Sequence, residues 1–156
     1  MQTAEIQTGR RVVVVLEPGD EILTSLADAC RHHGIAQAAI STFSGAFRTV
    51  RLIAAETPAA DPEAPMPTTV DVPYTEGLGS GTITTASDGA LVVHVHVAVG
   101  VKDDAARAYA GHLLSGETHY VVEVVLDEIL SPVLERRPHP GSAGLPILQI
   151  KATTTP

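Results

Sequence analysis

The stretch Val92-Val93-His94-Val95-His96-Val97 sets two histidines at i and i+2 inside a run of valines. Valine is β-branched and favours strands, so the run reads as a buried strand. Side chains two apart on a strand leave on the same face, which aims His94 and His96 into one space. Two imidazoles buried side by side without partners are costly. A metal ion would satisfy both, and so would a tightly hydrogen-bonded polar cluster; the short His-x-His pattern alone excludes neither, nor coincidence. Downstream, Gly111-His112-Leu113 offers a third imidazole if a turn and a return strand bring it back. Three neutral imidazoles with one open position make a catalytic-type zinc site.

The surrounding chain supplies the elements that such a site needs. Arg11 to Leu16 reads as a Val-rich strand, broken by Glu17-Pro18-Gly19-Asp20, with Asp20 placed to cap a helix. Ile22, Leu23, Leu26, Ala29 and Cys30 then recur at helical spacing, and Gly34 is a natural stop. Ile35 to Thr42 and Phe47 to Ala54 read as strands joined by a turn at Ser44-Gly45. Residues 56–73, rich in Pro, Ala and acidic side chains, read as a mobile loop. Gly77-Leu78-Gly79-Ser80-Gly81 is not a phosphate loop, because no helix signal follows it. Instead Ser80 to Thr85 reads as a strand, Asp88-Gly89 as a hairpin turn, and Leu91 to Val99 as the histidine strand. Lys102 to Leu114 reads as a turn and a strand, and His119 to Ile129 as a strong strand. Residues 132–156 form a tail, mostly loop, with a short strand at Leu145 to Ile150. The expected fold is α+β: a mostly antiparallel sheet with one principal helix, packed as a sandwich in a single domain over residues 1–156.

Composition narrows the function classes. The formal net charge of −8, from 18 acidic and 10 basic residues, opposes nucleic-acid binding, which needs a basic footprint. The pairs Arg10-Arg11 and Arg136-Arg137 read as solvated surface charge. The single cysteine, Cys30, allows no disulfide within the chain and reads as a small buried hydrophobe, consistent with a cytoplasmic protein. There is no signal-peptide pattern at Met1 to Glu5, and no apolar run has the length of a membrane span.

Several motifs occur together in order: Leu16-Glu17-Pro18-Gly19-Asp20, His33-Gly34-Ile35, Ser44-Gly45-Ala46, Ser80-Gly81-Thr82-Ile83, Asp88-Gly89, His94-Val95-His96 and Gly111-His112-Leu113, with Leu134-Glu135-Arg136-Arg137 and Gly144-Leu145 in the tail. The ordered set resembles the domain shared by plants and prokaryotes, the PPC or PCC domain. That resemblance implies an antiparallel sheet flanked by helices and a homotrimer with clefts at subunit boundaries. Small residues on the predicted strands, such as Ala38, Ala39, Ser41 and Gly79, would permit close approach between subunits. Plant members of the family carry Arg-Gly-Arg-Pro hooks that bind A·T-rich DNA; no such hook occurs here. The fold also resembles that of acetolactate decarboxylase, a zinc enzyme whose ligands are a His-x-His pair and a later histidine. By that match His94, His96 and His112 would hold zinc or another divalent metal. The chain departs from the family pattern at residues 56–73, where an aromatic hairpin is replaced. It departs again at Thr75-Glu76, where the family's acidic residue would fall one position away, and at Gly77 and Gly79, which replace larger residues and would open space there or admit a subunit's close approach.

A metal so held would suit a lyase acting on a small keto or hydroxy acid, with a separate general acid or base. Glu123, which matches a family acidic position, is the candidate for that role, with an outward-facing carboxylate as the equal alternative; His119, in phase with it, is a candidate proton shuttle, with an exposed strand-end histidine as the default reading. Arg48 and Arg51 are candidates to bind a substrate carboxylate, with surface placement the default reading for both. The alternative expectation is a non-catalytic, DNA-associated or regulatory protein with structural histidines.

Overall fold

A computed structural model describes residues 1–54, 68–142 and 145–151. The described residues form strands β1 (Gln7–Leu16), β2 (Ala38–Ala54), β3 (Thr68–Ala86), β4 (Leu91–Val101), β5 (Ala108–Ser131), β6 (Leu134–Pro138) and β7 (Pro146–Ile150), one α-helix, α1 (Ile22–His33), and a single 3-10 turn at Pro140–Ser142. The sheet runs β1-β5-β2-β3-β6-β7, and β4 bridges β3 and β5. All pairings are antiparallel except the short parallel contact of β3 with β6. β2 pairs β3, β3 pairs β4, β4 pairs the start of β5, and β5 returns to β2, so four strands form a closed circuit. The expectation of a mostly antiparallel sheet with one principal helix therefore holds.

The helix forms where the periodicity places it. Ile22, Leu26 and Cys30 lie on one face and are fully buried beneath the sheet. Burial of each large aliphatic side chain here is worth about 1.5–3 kcal/mol. Burial also pushes the Cys30 thiol up to about 11, as befits a core residue. Gly34 ends the helix in the left-handed region at φ 65°, and its N–H donates to the Arg31 carbonyl. The N-cap is Glu21, not Asp20: Glu21 Oε2 accepts from Thr24 N at 2.8 Å, and its Oε1 accepts from Gly116 N, tying the helix to β5. Asp20 instead closes the preceding turn by accepting from Glu17 N at 2.8 Å.

Several boundaries differ from the sequence expectation: β2 begins at Ala38 rather than Ile35, and the two strands expected at Lys102–Leu114 and His119–Ile129 are one, β5. Ser44-Gly45 is not a turn; β2 runs straight through it, with register shifts beside it. Thr68–Pro73 belongs to β3 and pairs with β2 rather than forming a loop, while residues 56–67 of the expected loop lie outside the described residues. The tail holds a strand, β6, that pairs with the expected β7. The Asp88-Gly89 hairpin turn forms as expected, with Gly89 at φ 85°. No helix among the described residues is long and apolar enough to cross a membrane.

The core lies between α1 and one face of the sheet, where Val95, Val97 and Val99 of β4 join Ile83, Val122, Val124 and Leu126. Alternation sends His94 and His96 to the opposite, outer face.

Candidate metal centre

β4 and β5 place the histidines. His96 stands directly opposite His112 in the antiparallel register, and His94 is one step along the same face. The ring centroids are 5.1 Å apart for His94 and His96, 4.6 Å for His94 and His112, and 5.3 Å for His96 and His112. One nitrogen from each ring lies within 4.8 Å of the others. An ion with nitrogen ligands at ~2.0–2.1 Å in tetrahedral array separates them by about 3.4 Å, so small ring rotations close the difference. His94 and His112 are half-buried and His96 is exposed, which leaves one side open to a ligand.

The protonation states suit metal binding. Burial, then the Arg136 charge and the two other imidazoles, push His94 down to about 4. Burial, His96 and Arg136 likewise lower His112. At neutral pH both rings therefore present lone pairs without first shedding a proton. The donor set, three imidazoles with no carboxylate among the described residues, fits a divalent ion of borderline softness such as zinc.

A stripe of glycines sets this geometry. Gly77, Gly79 and Gly81 of β3 lie against the β4 backbone, and a Cβ on Gly81 would come within 2.0 Å of the His94 carbonyl oxygen. Gly77 and Gly79 meet the Ala98 and His96 carbonyls in the same way, at 2.2 and 2.6 Å. The space that these glycines leave is thus taken up by β4 of the same chain.

The other sequence candidates stand apart from the imidazoles. Glu123 is exposed on the outer face, in the row that runs through Ser44 and Leu78 to Ala98 of β4. Along that row β2 and β3 stand between it and β4. His119 packs on Tyr120, with ring centroids 3.9 Å apart, and on Tyr74 at 5.5 Å. Glu76 shares the outer face but pairs with Lys102 at 2.8 Å, and it borders a shallow groove with Leu78 and Tyr120 that contains no histidine. Arg48 and Arg51 are paired with Glu117 and Asp71 at 3.0 and 2.8 Å, so neither is a free carboxylate receptor.

Arg136 is the residue that the sequence reading missed. It is half-buried rather than solvated, and Nη2 donates to Thr82 Oγ1 at 3.2 Å. Thr82 is the register partner of His94. The available signal was alternation: on a short strand Glu135 and Arg137 share one face, where they pair at 2.8 Å, and Arg136 takes the other.

Residues 3–130 match the family model described as the Plants and Prokaryotes Conserved (PCC) domain. A plant- and prokaryote-conserved protein from Pyrococcus horikoshii superposes with a TM-score of 0.78 at 24% identity, covering 97% of this chain and 99% of its own. A metal-containing protein from Archaeoglobus fulgidus gives 0.79 at 23% identity, covering 96% and 99%. Acetolactate decarboxylase from Bacillus subtilis gives 0.52 at 12% identity, covering 84% of this chain but 56% of that enzyme. The search of curated proteins gave no match.

Proposed function

The chain belongs to the Plants and Prokaryotes Conserved (PCC) domain family, and from that premise we propose that it binds a divalent metal, zinc by ligand type, at His94, His96 and His112. We propose further that the bound form works as a lyase on a small keto or hydroxy acid, in a homotrimer. The observation that carries the reading is the convergence of the three imidazoles. The metal-containing Archaeoglobus fulgidus protein of the same fold, and the fold shared with acetolactate decarboxylase, support it. When bound, the ion would act as a Lewis acid toward a substrate oxygen.

The protein's own groups divide the remaining tasks. The neutral rings of His94 and His112 hold their lone pairs toward the shared space, and the exposed side at His96 admits substrate. Glu123 and His119 remain the proposed proton carriers of this reading, although neither stands among the imidazoles of its own chain. DNA association is the second reading; the net charge of −8 opposes it.

The test is the metal content of the purified protein after incubation with zinc and dialysis. Close to one ion per chain is expected, with loss in His96→Ala and an unchanged circular dichroism spectrum. A wild-type protein that retains no metal, or a His96→Ala variant that retains it fully, would overturn the proposal.

A further inference from the structure

The ten lysines and arginines all lie in the described part of the chain. Nine of them pair with a carboxylate within 4.0 Å. Arg136 has no such partner among the described residues, although the chain carries an excess of acid. Its surroundings make that arrangement expensive. The guanidinium is half-buried; among the described residues its one side-chain bond is to the neutral Thr82 hydroxyl at 3.2 Å, and its buried Nε–H meets no acceptor. A buried cation ordinarily has a counter-charge. The register sets Thr82 beside His94, so the uncompensated charge borders the three imidazoles.

We propose that Arg136 is the anion anchor of the histidine site, and that the site takes a small carboxylate bearing a second oxygen donor on the adjacent carbon. The part concerning Arg136 stands on its own geometry; the part concerning the second oxygen rests on the metal reading above. One guanidinium matches one carboxylate in charge and in the spacing of its fork. An oxyanion seated there meets the unpaired charge, and the neighbouring oxygen of a 2-oxo or 2-hydroxy acid then faces the imidazoles. Arg136 is thus a substrate-binding residue, and Thr82 positions it.

The experiment follows the Arg136 Nε–Hε resonance by NMR while pyruvate, pyruvamide and inorganic phosphate are titrated separately into zinc-loaded and chelator-treated protein. Calorimetry runs in parallel on Arg136→Gln and Arg136→Lys. Pyruvate is expected to move the resonance, and uncharged pyruvamide to leave it in place. Arg136→Gln is expected to bind pyruvate at least tenfold more weakly, a loss of about 1.4 kcal/mol, while keeping wild-type zinc stoichiometry; Arg136→Lys should regain part of the affinity. Equal pyruvate affinity in Arg136→Gln, or pyruvamide binding as tightly as pyruvate, overturns the anchor. Phosphate binding more tightly than pyruvate overturns the carboxylate assignment. A wild-type protein that takes up no zinc removes the metal reading alone, and the anchor is then judged by the titration of metal-free protein, where an unmoved resonance rejects it. Should Arg136→Gln fail to fold, the wild-type resonance and Arg136→Lys decide the matter.

Discussion

Glu128 shows how strongly one side chain can tie distant segments together. It accepts from the Arg10 backbone N–H at 3.0 Å, from Nε at 2.9 Å and from Nη2 at 2.8 Å. These bonds hold its carboxyl down to about 2, against an ordinary 4.5. A group lowered in the folded state contributes stability that is complete above its unfolded value and is lost as pH falls toward its folded one. Thermal stability should therefore decline between pH 4.5 and about 2 partly through this pair. Glu128→Gln should lose stability at pH 7 and show a flatter acid limb than wild type. Melting curves across that window check this, and a limb of unchanged steepness would remove the pair from the account. The imidazole cluster differs in kind, because its members hydrogen-bond to none of the described side chains and owe their placement to the strands beneath them.

Among the elements, β3 and β4 matter most for that placement. Adding a methyl group at Gly81 drives it to 2.0 Å from the His94 carbonyl oxygen, and backbone cannot yield as a flexible side chain can. Gly81→Ala is expected to cost at least 1–3 kcal/mol, the usual range for overpacking, and to weaken zinc binding more than Gly89→Ala, where nothing lies within 4 Å and the cost is that of the left-handed backbone at φ 85° alone. Denaturant titration and zinc calorimetry on the two variants test this; equal zinc affinity would show that β4 tolerates the shift. The three histidines and the helix were legible in the sequence because their signals are local: i, i+2 spacing on a valine strand, and apolar spacing ended by Gly34. The continuity of β2 was not. Ser44-Gly45 carries turn chemistry, yet Gly45 is needed because a Cβ there would sit 2.3 Å from the Val121 carbonyl oxygen across the strand pair. β6 was hidden among prolines at 132 and 138, and the environment of Arg136 depends on the pairing of β6 with β3, some fifty residues apart in sequence. No local pattern reports a contact of that range.

For the whole molecule, the outer face is where association should occur. Val13 and Val15 of β1, Leu78 of β3 and Val121 of β5 are exposed there. An apolar sheet face of this kind favours a partner. Light scattering is expected to give three times the 16.2 kDa chain mass, and a monomer mass would reject the trimer. The order of the strands has a consequence for how the chain comes into being on the ribosome. Among the described residues β1 pairs only with residues 122–131 of β5, so its valines wait without a partner through most of synthesis. The hairpin bearing all three imidazoles is complete once residue 112 has emerged, while Arg136 and the partners of β1 come later. Translation thus delivers the imidazoles before the guanidinium and leaves β1, the first strand made, among the last to be seated.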